Sequence, residues 1–272
     1  MNELVVFESR DGVTVLRMNL PRRLNGWTME MMEALRAALE RAAGDAATKV
    51  VILTGTDPYY SAGVNLGGTL KLGHPRELHA QIVKHNQALF DGFIEFGKPI
   101  LVAANGPAIG ASVTSATLCD GIIASEEATF STPFAALGVP PEGCSSVLFE
   151  KLMGAATAER ILGKEGWKPT GTEAKEIGLV QWVVPHGELL AEARKIAEGW
   201  IEEGRERGYR GGTSREELLA VNARESVQVA DSFLSAPFLK GQYRFLKSKK
   251  KWAPAATFFL LWRTRPLWSR LM

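Results

Sequence analysis

Three short segments of the chain combine residue types that could do chemistry: YYSAGVNL (Tyr59 to Leu66), NGPAIGASVT (Asn105 to Thr114) and PPEGCSS (Pro140 to Ser146). The first two set small residues directly after apolar, strand-like runs. There the main chain can approach a ligand and offer it N–H groups. Two such loops could together hold a negatively charged oxygen. Each is also what an ordinary tight turn looks like, and taken alone each favours that plainer reading. The third segment supplies a carboxylate, Glu142. It is either a general base or a first-turn carboxylate that complements the dipole of a helix starting near Cys144.

The remaining reactive residue types are less suggestive. Cys119 and Cys144 lie among apolar or small residues with no metal-ligand spacing, and two thiols cannot make a disulfide framework, so a reducing compartment is expected. His74, His79 and His85 have no Ser or Cys partner at a recognisable spacing and read as surface residues.

The elements that must position these segments follow from local pattern. Residues 3 to 7 and 13 to 18 are β-rich runs around Asp11-Gly12, a dipeptide suited to a hairpin turn. Thr28 can cap a helix running to about Ala43, and a second helix is predicted from about Glu77 to Phe96. Lys49 to Gly55, Ile100 to Gly106 and Gly121 to Ser125 read as buried strands. Alternation of strand, turn and helix implies an α/β fold with a mainly parallel sheet and helices outside. From about Gly187 onward the pattern is helical: Leu189 to Gly204, Ser214 to Asp231 and Ser235 to Lys249. The expected division is therefore a core over residues 1–186 and a helical C-terminal region over 187–272. The last stretch, WAPAATFFLLWRTRPLWSRLM, holds three of the seven tryptophans and is too apolar to be a free linker. It should pack on its own core, a neighbouring subunit or a membrane surface.

Composition narrows the classes. With 46% hydrophobic and 23% charged residues the 272-residue chain can build a sizeable core. Thirty-two Lys and Arg against thirty Asp and Glu leave +2, too little to imply a nucleic-acid partner. The N-terminus has neither the apolar core of a signal peptide nor an Arg/Ser-rich transit face, and no apolar run reaches the length of a membrane span.

In order and spacing, SAGVNL and NGPAIG resemble the loops of the crotonase superfamily. NLPRRLNGWT, KVVILTG, LCDGIIASEEATFSTPFAALGVPPEG and TGTEAKEIGLVQWVVP also fall where that family's segments do, so the likeness spans roughly residues 3 to 250. The resemblance implies a crotonase-like β-β-α spiral with a helical C-terminal part that assembles homotrimers or hexamers. It also implies a fatty acyl-CoA substrate. By the same likeness the N–H groups of Ala62 and Ala111 would form an oxyanion hole, with Ser61, Gly63, Val64, Asn65, Leu66 and Gly110 lining it. Ala111 stands where many hydratases have glycine, and Asn65 where aspartate is common. Arg22, Arg23 and Lys247, the last beside Lys249 to Lys251, are candidates to meet the CoA phosphates. The lysines read equally well as solvated partners of a helix C-terminus.

Hydratases of the family use two glutamates, at positions that here are Thr114 and Phe134, and neither can act as a base. The segment Pro141 to Ser146, together with TFSTPFAALG and VNARES, is similar instead to the peroxisomal-type 3,2-enoyl-CoA isomerases, which implies Glu142 as the base and Asn86 as an amide that orients it. No metal or redox cofactor is expected, since CoA is part of the substrate. The alternatives are hydration, dienoyl-CoA isomerisation or a catalytically silent acyl-CoA-binding domain. The terminal Ser-Arg-Leu-Met does not present a peroxisomal address at its free end, and the resemblance leaves peroxisome and mitochondrion both open.

Overall fold

Asp11 and Gly12 take positive φ angles of 52° and 84° and turn β1 (Val5–Arg10) back onto β2 (Val13–Met18). This is the hairpin that Asp-Gly predicts. The computed structural model describes residues 3–64 and 73–271. Parallel partners then add to β2: β3 (Val50–Gly55), β4 (Ile100–Ala104), β6 (Gly121–Ser125) and β8 (Trp182–Val184), in the order β1-β2-β3-β4-β6-β8. Every residue of β3, β4 and β6 is buried, which is why these segments are nearly continuous apolar runs.

Side-chain alternation splits the core in two. Leu16, Met18, Val51, Leu53, Val102 and Ile122 point to one face, with Met31 and Leu35 of α1 (Met29–Gly44) and Phe90 and Phe93 of α2 (Pro75–Ile94). Val13, Val50, Ile52, Leu101 and Ile123 point to the other, where α8 (Leu189–Glu202) supplies Leu189, Ala193, Ala197 and Trp200. The boundary expected near residue 187 is therefore a change of element type, because α8 still covers the sheet. Thr28 caps α1, its hydroxyl accepting the N–H of Met31.

A second layer positions the site. After β3 the chain lays down Ser61 to Val64, after β4 it forms β5 (Ala108–Ile109), and after β6 it forms β7 (Phe130–Ser131). These rungs pair in parallel, Trp27 with Val64, Ser61 with Ala108, and β5 with β7. Each turn is thus strand, rung and helix, a β-β-α spiral. The first closes with α2, the second with α3 (Ala111–Thr117) and the third with α4 (Phe134–Leu137). Three further helices, α5 (Ser145–Met153), α6 (Ala155–Leu162) and α7 (Gly171–Glu176), lead to β8.

The C-terminal helices divide their labour. α9 (Arg215–Phe233), capped by Ser214, packs along α2. α10 (Ala236–Ser248) and α11 (Trp252–Trp268) form a hairpin around Phe238, Leu239, Leu246, Phe258 and Leu261. The apolar tail expected to pack on something is this last helix, with one face against α10. No helix among the described residues is long and apolar enough to cross a membrane.

Candidate active site

The two loops and the carboxylate meet at one cavity of about 110 Å³ lined by Ala62, Val64, Ile109, Gly110, Ala111, Pro133, Phe134, Leu137, Val139, Glu142 and Phe233. Glu142 is the only ionisable side chain among these. Phe134, where a hydratase-type base would stand, is a wall of the cavity, and Thr114 is fully buried with its hydroxyl donated to the Ala111 carbonyl at 3.3 Å.

The close meeting of the loops depends on Gly63. It has φ +70°, and a Cβ there would collide with the Ile109 carbonyl oxygen. Ser61, expected beside a ligand, is instead wholly buried and ties the loops together: its hydroxyl donates to the Asn25 carbonyl at 2.8 Å and accepts the Gly63 N–H at 3.0 Å, while its carbonyl accepts the Ile109 N–H at 3.0 Å. Gly110 lines the cavity as expected and spends its own N–H on the Ser131 carbonyl at 2.7 Å.

The expected pair of oxyanion donors needs correction. The Ala62 N–H donates to the Leu24 carbonyl at 2.9 Å, so it is committed to holding its loop. The Gly63 N–H is taken by Ser61. Val64 is the next residue and lines the cavity; among the described residues its N–H has no acceptor, and neither has that of Ala111, which opens α3. Asn65 and Leu66, expected to line the same loop, lie outside the described residues.

Glu142 lies ahead of the helix expected near Cys144, which rules out its alternative reading as a first-turn carboxylate. α5 begins at Ser145 with Cys144 as its N-cap. Gly143 and Cys144 both take left-handed φ angles, 64° and 65°, which turn the chain sharply between Glu142 and the helix. A Cβ on Gly143 would lie 2.5 Å from the Phe90 ring and 2.6 Å from the Thr114 hydroxyl.

The Asn86 amide on α2 donates to Glu142 Oε2 at 2.8 Å, the contact that the sequence anticipated. Behind it stands a set of polar side chains that sequence reasoning did not assign. The Ser226 hydroxyl donates to Asn86 Oδ1 at 2.9 Å, with Asn222 Oδ1 at 3.4 Å. Asn222 Nδ2 donates to Asp91 Oδ1 and to the Gln87 carbonyl, both at 2.9 Å. Because Ser226 engages the oxygen of Asn86, the amide NH2 must face Glu142. On the other side, Glu225 accepts the N–H of Cys144 at 2.6 Å and that of Ser146 at 2.9 Å, capping α5 from another helix. Asn222, Glu225 and Ser226 are fully buried and fall at i, i+3 and i+4 on α9. A polar stripe among Leu218, Val221 and Val229 was the available signal.

Burial pushes the Glu142 carboxyl up to about 7; the Asn86 hydrogen bond opposes the rise, and the neighbouring Glu225 charge adds to it. Glu225 is itself raised by burial, against the pull of its hydrogen bonds from Ser146 and Cys144. The arrangement is one carboxylate of raised basicity in an apolar cavity that is also lined by Val64 and Ala111, whose N–H groups have no acceptor among the described residues, which suits proton transfer next to a carbonyl.

Other expected residues lie elsewhere. Arg22 and Arg23 are exposed in a short turn just before Leu24, whose carbonyl holds the Ala62 loop. Lys247 is exposed in the last turn of α10 and does not line the cavity. His85 is exposed, and His79 pairs with Asp231 on α9 at 2.9 Å. Both cysteines are buried and unpaired.

Comparison with known proteins identifies relatives of this chain. A human protein named enoyl-CoA delta isomerase 2 is 36% identical over 260 residues, covering 92% of this chain and 64% of its own length. This chain thus spans just under two thirds of that relative. The mouse peroxisomal enoyl-CoA delta isomerase 3 is 31% identical over 91% of this chain and 79% of its own. The crystal structure of an enoyl-CoA hydratase/isomerase from Pseudoalteromonas atlantica T6c matches with a TM-score of 0.76 and 30% identity, covering 90% of this chain and 97% of that one. A model of the enoyl-CoA hydratase/isomerase family matches residues 8–210. With the spiral of β-β-α turns and the paired loops, these matches make the chain a member of the enoyl-CoA hydratase/isomerase family, with the crotonase fold.

Proposed function

We propose that the chain is a 3,2-enoyl-CoA isomerase, moving the double bond of a 3-enoyl-CoA to the 2-position. The observation that carries this reading is the solitary Glu142 in an apolar cavity. Hydration needs a second acid or base to handle the water, and the two other candidate positions hold Thr114 and Phe134. A double-bond shift needs one carboxylate that takes a proton and returns it. Glu142 removes a proton from carbon 2, the thioester oxygen becomes a dienolate held by the N–H groups of Val64 and Ala111, and the Glu142 carboxylic acid delivers the proton to carbon 4. Val64 replaces Ala62 as donor because the Ala62 N–H is already bonded. Both transfers use the same carboxyl group, so the cycle needs neither metal nor redox cofactor.

The likeness to isomerases of human and mouse supports the same reading. Arg22 and Arg23, beside the loop, are proposed to meet CoA phosphates, with Lys247 available from a neighbouring copy in a trimer or hexamer. A peroxisome or mitochondrion is the proposed compartment. The test is to offer purified protein a 3-enoyl-CoA without added cofactor and follow the 2-trans product. Absence of turnover together with acyl-CoA binding would favour a silent binding domain, and hydration of a 2-enoyl-CoA at comparable rate would favour a hydratase.

A further inference from the structure

Phe233, the last residue of α9, lines the cavity that holds Glu142 and also packs against the core of the α10–α11 hairpin. Val139 does the same from the turn after α4. The other lining groups have different places. Val64, Ala111 and Glu142 are the ones assigned to the thioester and the moving proton. Phe134 borders the second loop, since a Cβ on Gly110 would lie 4.0 Å from its ring. Leu137 is 38% exposed, so it cannot close the cavity. The wall left for the chain beyond carbon 4 is Phe233 with Val139.

Three consecutive residues fix this wall. The Ser232 hydroxyl donates to the Gly138 carbonyl at 2.7 Å, which ties α9 to the turn that carries Val139. The Phe233 ring stacks on that of Phe238, with centroids 4.6 Å apart and planes 5° apart, and Phe238 meets Phe258 of α11 edge-on at 6.4 Å. Leu234 is fully buried, and its carbonyl accepts the Nε–H of Arg265 on α11 at 2.7 Å. Phe238 and Phe258 are buried behind the wall. A ring backed in this way cannot swing aside for a longer chain without opening the aromatic stack behind it. The cavity in front of it, at about 110 Å³, is small. Pockets that bury a whole small ligand begin near roughly 300 Å³.

We propose that Phe233 sets the upper limit of acyl length, and that the substrates are short-chain 3-enoyl-CoAs. This limit rests on the acyl-CoA reading of the cavity and adds to it which chains fit. The CoA portion carries the phosphates and stays outside, while the chain beyond carbon 4 runs toward Phe233 and Val139. Each methylene that finds apolar room raises affinity about 4-fold. Once the chain meets the Phe233 ring, further methylenes gain nothing and must displace a packed side chain.

The test is calorimetric binding of a series of saturated acyl-CoAs, from butyryl to dodecanoyl, beside the rates of isomerisation of 3-hexenoyl-CoA and 3-dodecenoyl-CoA. Affinity should climb about 4-fold per methylene and then level or fall before the longest chain is reached. In Phe233→Ala that break should move to longer chains, and two further methylenes admitted should raise the affinity of those chains at least about 10-fold. Should that variant fold poorly, Val139→Ala on the same wall must move the break in the same direction. An unbroken rise to dodecanoyl-CoA in the wild-type protein overturns the proposal, and so does a folded Phe233→Ala protein whose break stays where it was. Binding is read without turnover, so the length limit and the isomerase reading fail separately. A break in the series without isomerisation keeps the wall and removes the isomerase, whereas equal turnover of both 3-enoyl chains keeps the isomerase and removes the wall.

Discussion

Asn86 and Glu142, 56 residues apart in sequence and on different elements, share one hydrogen bond of 2.8 Å, and it is the single side-chain donor that reaches the carboxylate of the cavity among the described residues. This bond opposes a burial effect that it does not overcome, so Glu142 stays close to neutrality in its basicity.

With its carboxyl at about 7, Glu142, the proposed base, is ionised above neutrality and protonated below it. Isomerase kcat/KM is therefore expected to rise through pH 7 and, at pH 5, to be about 100-fold below its plateau. The same shift acts on stability. Between the ordinary value of 4.5 and about 7 the unfolded chain has lost this proton while the native state keeps it, so raising pH favours unfolding. The contribution of Glu142 is full below that window and gone above it, on the order of 3 kcal/mol. Denaturant titrations of wild type and Glu142→Gln across this range check it: the variant should lack that part of the decline.

Glu142→Gln keeps the size of the side chain and removes the proposed base. Turnover of a 3-enoyl-CoA should fall by at least about 100-fold while acyl-CoA affinity stays within a few-fold of wild type. Steady-state kinetics and a binding titration separate the two quantities. Near-normal turnover would remove Glu142 from the mechanism.

Ser226→Ala leaves the base and its amide in place but frees the amide to turn. Loss of one neutral hydrogen bond of about 1 kcal/mol should lower kcat roughly 5-fold with KM little changed. Asn86→Ala removes a bond to a charged acceptor and should move the acid limb of the pH profile upward by about one unit. A purely structural role for either residue would lower the melting temperature and leave that limb where it is.

Two glycines give opposite expectations. Gly63→Ala forces a left-handed φ of +70° and a collision with the Ile109 carbonyl, so it should cost about 2 kcal/mol or more and abolish acyl-CoA binding. Gly199 lies inside α8 with open space around its Cα, and Gly199→Ala should stabilise the protein by up to about 1 kcal/mol. Thermal unfolding of the pair checks both.

Features set by neighbours in sequence were legible before the structure. The Asp11-Gly12 hairpin, the Thr28 cap and the buried runs of β3, β4 and β6 each follow from a few adjacent residues. Features set by distant partners were not. Nothing local to Ala62 says that its N–H is spent on Leu24, and nothing local to Cys144 says that its N–H is met by Glu225. The rungs Ala108–Ile109 and Phe130–Ser131 are two residues long and too short for any periodicity. The tail defeated a face-by-face reading because both sides of α11 are apolar. Most of the apolar helix after Gly187 is absorbed within the chain: α8 covers the sheet and α9 lies on α2. The outer face of α11 is what remains.

The family match ends at residue 210, and α9 begins at Arg215. Yet α9 carries Asn222, Glu225 and Ser226, which fix the amide beside Glu142 and brace the turn that presents it. Glu142 and Asn86 thus lie inside the matched stretch, and the side chains that hold them from behind lie after it. Evolution can alter one without disturbing the other, so two proteins with the same loops and the same glutamate can differ in the pH at which they work because of a single later helix.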